Sequence, residues 1–275
     1  MTINCKGKLI DLSTPKVMGI LNITPDSFYD GGKYKDENAI VQQVEKMLSE
    51  GATFIDVGAY SSRPGAAHIS EEEELKRIVP VIELLVNKFP DILISVDTFR
   101  SGVARETIKA GAAMINDISG GNMDEHMFAT VAALKVPYIA MHMQGTPQNM
   151  QQDPSYTNIT TELVKFFSEK LNQLHQLQLA DVIIDVGFGF GKTVEHNYQL
   201  LRELDFFKNL DAPILVGVSR KSMLYKPLEI TPQDALNATT AANTIALMNG
   251  AHILRVHDVK EAMESVKVVE LLAKK

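Results

Sequence analysis

Val17-Met18-Gly19-Ile20-Leu21-Asn22 is an unbroken apolar run that stops on an amide. Runs of the same kind follow at Phe54–Val57, Ile92–Val96, Ala113–Asn116, Pro137–Met141, Val182–Asp185, Ile214–Val218 and Ile253–Val256, which makes eight in all. Most are continuously apolar rather than alternating, as expected for strands buried on both faces of a parallel sheet.

A helical pattern follows each run. Glu37–Glu50 puts Ile40, Val44, Met47 and Leu48 on one face. Ser70, with Glu73 three residues on, gives a capping-box start to Glu71–Lys88. Arg100–Ala110 runs into Gly111, a C-cap residue. Asn122–Leu134, Thr157–Leu179, Val194–Leu204, Thr231–Asn249 and Val259–Lys274 complete the set. Eight strand-then-helix units predict an α/β fold, a (β/α)8 TIM barrel, over residues 1–275 as a single domain. Ile3–Leu12 precedes the first unit and is expected to form a short β segment over the barrel bottom. A doubly wound open sheet is the alternative, but the nucleotide fingerprint it calls for after its first strand is missing.

The bulk numbers agree. A chain of 275 residues is about the length of one such barrel. Its 45% hydrophobic content supplies a large core. A net charge of −7 argues against a nucleic-acid partner, which needs basic faces. No apolar run reaches about 18 residues, so no membrane partner is expected. The N-terminal segment lacks a signal-peptide layout. Cys5, the one cysteine, cannot form an internal disulfide, and a reducing, cytoplasmic location is expected.

In a barrel of this kind the chemistry sits at the C-terminal ends of the strands. Those ends carry Asn22, Asp56, Asp97-Thr98, Asn116-Asp117, Met141-His142, Asp185, Ser219-Arg220-Lys221-Ser222 and Arg255-Val256-His257. A single polar residue there has an equally good reading as a strand meeting solvent or a cap on the next helix. A ring of them implies a site. Asn22, Ser62, Arg63, Arg255 and His257 are donors suited to phosphate or diphosphate. Asp97, Asn116 and Asp185 suit a flat heterocycle with amino and ring N–H groups, since a carboxylate accepts two parallel bonds and an amide both gives and accepts. Phe28, Met141 and Phe190 offer apolar faces.

Other readings fail or compete. Gly187-Phe188-Gly189-Phe190-Gly191-Lys192-Thr193 resembles a phosphate loop, but Val186 stands where the first Walker glycine belongs. Lys192 stands where the last glycine of a dinucleotide fingerprint belongs. His142, His252 and His257 lack zinc-site spacing. Lys221 could be a Schiff-base nucleophile of an aldolase, and borohydride trapping would reveal it. A pterin-binding methyltransferase module would keep the heterocycle pocket, but the rich Asn22–Gly32 and Ser61–Gly65 segments argue against it.

With these residues assembled, the chain resembles the dihydropteroate synthase family from Met18 to Val259. Met18-Gly19-Ile20-Leu21-Asn22-Ile23-Thr24-Pro25-Asp26-Ser27-Phe28 is the most specific stretch. Ser61–Gly65, Ser95–Thr98, Ile115–Asp117, Gly187–Phe190, Ser219–Lys221 and Arg255–Asp258 match in order. The resemblance implies a homodimeric barrel that condenses 6-hydroxymethyl-7,8-dihydropterin diphosphate with 4-aminobenzoate in folate biosynthesis. Magnesium (Mg2+) would assist, and sulfonamides would be inhibitors. By position, Asp97, Asn116, Asp185, Lys221, Met141, Phe190 and Arg255 would hold the pterin. Asn22, Ser62, Arg63, Arg255 and His257 would hold the diphosphate, with Asn22 also on the metal. Ser62, Pro64, Phe190, Lys221, Ser222 and Phe28 would meet the aminobenzoate. Asp97, Lys221, Arg255 and Asn22 would carry the catalysis. Ser62, Val186 and Ala59-Tyr60 depart from commoner family residues, and none removes a group the chemistry needs.

Overall fold

The structure, a computed structural model, describes residues 1–23, 33–61 and 68–273. Eight parallel strands close into a barrel in the order β10-β3-β4-β5-β6-β7-β8-β9. They are β3 (Lys16–Asn22), β4 (Phe54–Gly58), β5 (Ile94–Asp97), β6 (Met114–Asp117), β7 (Tyr138–Met141), β8 (Val182–Asp185), β9 (Ile214–Val216) and β10 (Ile253–Val256). All eight coincide with the apolar runs read from the sequence. The third begins and ends later than its run suggests and takes in Asp97, which pairs with Asn116.

Helices α1 (Lys33–Ser49), α2 (Glu71–Lys88), α3 (Ser101–Lys109), α4 (Met127–Leu134), α5 (Ile159–Gln176), α6 (Val194–Arg202), α7 (Ser222–Tyr225), α8 (Leu236–Met248) and α9 (Val259–Ala273) lie among the described residues. Local chemistry sets several starts. The Ser70 hydroxyl accepts the Glu73 N–H at 3.2 Å, as the capping box predicts. α4 begins at Met127 rather than Asn122, because Asp124 accepts the N–H groups of Ser101 (2.7 Å) and His126 (2.9 Å) and holds a turn. α8 begins at Leu236 rather than Thr231. There Thr231 Oγ1 donates to Asp234 Oδ2 at 2.6 Å, and the N–H groups of Asp234 (3.1 Å) and Ala235 (3.4 Å) bond back three residues to the carbonyls of Thr231 and Pro232, as turns. α6 stops at Arg202 and passes into a 3-10 helix, Leu204–Leu210. Ala110 caps α3, and Gly111 follows it at φ +110°.

The outward faces of the strands pack under the helices. Phe167, Phe188 and Phe207 are fully buried in this layer, each worth about 1.5–3 kcal/mol of apolar burial. The N-terminal segment forms an antiparallel hairpin, β1 (Thr2–Cys5) with β2 (Lys8–Asp11). Its Ile3, Cys5 and Ile10, with Leu12, cluster with Met18, Phe54, Leu93, Met114, Ile139, Ile183, Leu215 and Ile253. These are inward residues at the starts of the strands, so the hairpin seals the barrel floor. The other end is left for chemistry.

Candidate active site

Arg255, near the end of β10, lies at the centre of the open end. Its Nε donates to Asp56 Oδ2 at 2.6 Å, and its Nη2 donates to Asp97 Oδ2 at 2.9 Å. Asn116 Nδ2 donates to the same Asp56 oxygen at 3.0 Å. The guanidinium therefore bridges two carboxylates from adjacent strands. Burial works against its charge, but Asp56 and Asp97 outweigh it and raise its pKa. Burial also pushes the Asp97 carboxyl up to about 7, opposed by Arg255 and reinforced by Asp56. Within the described residues, Asp56 Oδ1 and Asn116 Oδ1 are buried without a hydrogen-bond partner. Neighbouring Asp117 accepts from Ser119, Gly121 and Tyr138, so it serves the structure rather than the pocket.

Asp185 ends β8. Its Oδ1 accepts the Gly187 N–H at 2.8 Å. Burial raises its pKa, against the pull of Lys221. Lys221 precedes α7 as its N-cap, with Ser222 beginning the helix. Burial lowers the Lys221 ammonium to about 8 while Asp185 holds it up. Its Nζ donates to the Phe188 carbonyl and lies 4.8 Å from the centre of the Phe190 ring, a cation–π contact. A Cβ on Gly217 would come 3.8 Å from Arg255 Cβ and 3.9 Å from Lys221 Nζ. Both are ordinary van der Waals contacts, so Gly217 lies between the Arg255 and Lys221 side chains without being forced to be glycine. Met141 is buried in an apolar cluster with Tyr60, Phe99, Ile118, Met143 and Met150, and Phe190 packs on it.

On the anion side, Asn22 ends β3 half-buried and His257 is exposed just past β10. Ser219 Oγ accepts the His257 backbone N–H at 3.2 Å and lies 3.1 Å from His257 Nδ1. Phe28, Ser62, Arg63 and Pro64 lie outside the described residues.

The glycine-rich stretch after β8 is a packing loop. Gly187 (φ +68°) and Gly191 (φ +62°) are left-handed. A Cβ on Gly187 would collide with the His142 carbonyl, and one on Gly191 would come 2.6 Å from the Gln144 carbonyl. Lys192 fastens the loop from within. Its Nζ, buried, meets Phe190 O at 3.0 Å, His142 Nδ1 at 3.0 Å and His142 O at 3.3 Å. Burial, then Lys192, drives the His142 pKa down to about 2, so the imidazole is neutral and can accept. Burial also lowers Lys192 to about 7, yet three acceptors match the three protons of an ammonium, and on that geometry it is charged.

The structure thus brings Asp97, Asn116, Asp185, Lys221, Phe190 and Arg255 to one end of the barrel. It adds Asp56, which the sequence reading noted on its strand but gave no role. Among the described residues no cluster of three or more His, Cys, Asp or Glu could hold a metal, and no helix is long and apolar enough to cross a membrane.

The family model described as "Pterin binding enzyme" matches residues 18–257. The barrel and this match define the class as a pterin-binding barrel enzyme. The dihydropteroate synthase of Escherichia coli K12 is 45% identical over 272 residues, covering 98% of this chain and 96% of the relative. That of Haemophilus influenzae is 42% identical over 99% of each chain. Yersinia pestis dihydropteroate synthase, solved with a sulfonamide drug complex, superposes with a TM-score of 0.92 at 44% identity and 99% coverage of both chains. The Xanthomonas albilineans enzyme, solved with 4-aminobenzoic acid, gives 0.92 at 37% identity, covering 100% of this chain and 99% of its own. The chain belongs to the dihydropteroate synthase family, transferases of folate biosynthesis.

Proposed function

We propose that this site joins 6-hydroxymethyl-7,8-dihydropterin diphosphate to 4-aminobenzoate, forming 7,8-dihydropteroate and releasing diphosphate. The convergence of Asp97, Asn116 and Asp185 from three strand ends, and of Lys221 from the turn before α7, around Arg255 carries this reading. Asp97, Asn116, Asp185 and Lys221 hold the pterin edge, Met141 and Phe190 supply apolar contact, and Arg255 covers the ring. Asn22, Ser62, Arg63, Arg255 and His257 receive the diphosphate. Phe28, Ser62, Pro64, Phe190, Lys221 and Ser222 line the aminobenzoate side.

Diphosphate leaves from a carbon attached to an electron-rich ring, so a dissociative, SN1-like path fits. Arg255 and His257 stabilise the departing charge, and the carboxylates of Asp97 and Asp185 favour a cationic ring. The neutral aminobenzoate nitrogen then attacks without a strong base, and the proton it gives up leaves with the released diphosphate or to water. A metal ion suits the donor set only in part. Asn22 offers one amide oxygen, the kind of hard ligand magnesium accepts beside substrate phosphates and water. Magnesium, when bound, would supply charge neutralisation at the diphosphate.

Purified protein given both substrates and magnesium should form dihydropteroate. Absence of product, with borohydride-trapped Lys221, would favour the aldolase reading instead. Loss of turnover with EDTA, restored by magnesium, tests the metal. A homodimer fits the exposed apolar residues on α8 and α9, Ile245, Met248, Val268, Leu271 and Leu272, and a monomer by sedimentation would refute it. A cytoplasmic setting fits Cys5, buried and held as a thiol by burial and by Asp181, which push its pKa to about 12. Fractionation of the source cells checks it.

A further inference from the structure

Asp56 is fully buried, two residues before the end of β4, and touches two of the groups assigned to the pterin. Its Oδ2 accepts from Asn116 Nδ2 at 3.0 Å and from Arg255 Nε at 2.6 Å. A carboxylate offers only acceptors. Of the two ends of the Asn116 amide, only the NH2 end can therefore face it. The carbonyl end must turn away from Asp56, and Asn116 Oδ1 is the buried oxygen that finds no donor among the described residues.

We propose that Asp56 is a positioning residue: it fixes the orientation of the Asn116 amide, and with it the order of acceptor and donor that Asn116 shows to the heterocycle. One Nδ2 proton is committed to Asp56. The Oδ1 acceptor and the second proton remain, side by side and in a set order. That order suits a ring edge carrying an N–H beside a bare ring nitrogen. A reversed amide would put donor against donor. Nothing else near Asn116 dictates the orientation, because no other hydrogen bond to its side chain is made by the described residues.

The inference rests on the reading that Asn116 meets the heterocycle, and a double-mutant cycle separates the two. In Asp56→Asn the neutral amide can face Asn116 either way round. The KM for pterin diphosphate should rise about tenfold, the value of one well-placed hydrogen bond, with kcat and the aminobenzoate KM moved less than about threefold. Asn116→Ala should raise the same KM, and adding Asp56→Asn to it should cost clearly less than Asp56→Asn costs alone, because only its contact with Arg255 then remains to be lost. Additive losses, or an unchanged KM in Asp56→Asn, would overturn the proposal while leaving the role of Asn116 intact. An unchanged KM in Asn116→Ala would overturn the underlying reading and the proposal with it. Should Asp56→Asn fail to fold, the unmodified protein decides by NMR. One Asn116 side-chain amide proton bound to a carboxylate resonates downfield and exchanges slowly, whereas two equivalent, fast-exchanging protons would refute the assignment.

Discussion

Replacing Arg255 with methionine tests the electrostatics of the site most directly. The guanidinium lies 2.6 Å from Asp56 and 2.9 Å from Asp97, with side-chain exposures of 18%, 0% and 16% respectively. Removing one partner of a buried ion pair costs about 3–5 kcal/mol, because the other charge is left uncompensated. Here two carboxylates are left. The cost depends on pH, and its sign follows from Asp97. That carboxyl stands at about 7 in the folded protein against an ordinary 3.8, even with Arg255 pulling it down. A carboxyl raised by folding binds protons more tightly in the native state. Stability therefore falls as pH rises through the window between the two values. Without Arg255 the window widens upward. Urea unfolding of Arg255→Met should show a deficit of about 3–5 kcal/mol at pH 8. At pH 5 the deficit should be smaller by about 1.4 kcal/mol, because wild type and variant lose stability alike up to about pH 7 and only the variant goes on losing it, at roughly 1.4 kcal/mol per pH unit for one proton, from pH 7 to 8. An equal deficit at both pH values, or one below about 1 kcal/mol at pH 8, would refute the reasoning. Diphosphate affinity by calorimetry should fall in the same variant.

Lys192→Met should destabilise the protein by about 2–4 kcal/mol by thermal or urea unfolding, since it strips a donor from two carbonyls and an imidazole nitrogen. A neutral or stabilising outcome would mean that the burial penalty on the ammonium outweighs those bonds. Binding of the pterin substrate at pH 6 should release close to one proton as Asp97 becomes a carboxylate under a donor edge. Calorimetry in two buffers of different ionisation enthalpy reads this, and no buffer dependence would place the Asp97 pKa elsewhere.

The barrel was legible because strands buried on both faces cannot hide their composition: each of the eight apolar runs contains or overlaps an observed strand. The ends of helices were harder. Asp124 and Thr231 divert backbone and side-chain hydrogen bonds into turns that helical periodicity does not register. Asp97, Asn116 and Asp185 stood out as polar residues closing apolar runs. Asp56 did not, because it lies inside its run, between Ile55 and Val57, and its role depends on partners 60 and 199 residues away. Lys192 was legible only as a failed phosphate-loop lysine. Its contact with His142 spans 50 residues, and no local spacing encodes it.

The hairpin under the barrel gives the molecule a built-in reporter. Cys5 carries the only thiol, is completely enclosed, and is held protonated. The apolar cluster it belongs to draws on seven of the eight barrel strands, and on Leu93 just before the remaining one. A thiol reagent can reach it only when the floor parts, so labelling kinetics across denaturant would time the breathing of the barrel from the end opposite the chemistry. With bound substrates, the same clock would tell whether filling the mouth also tightens the floor.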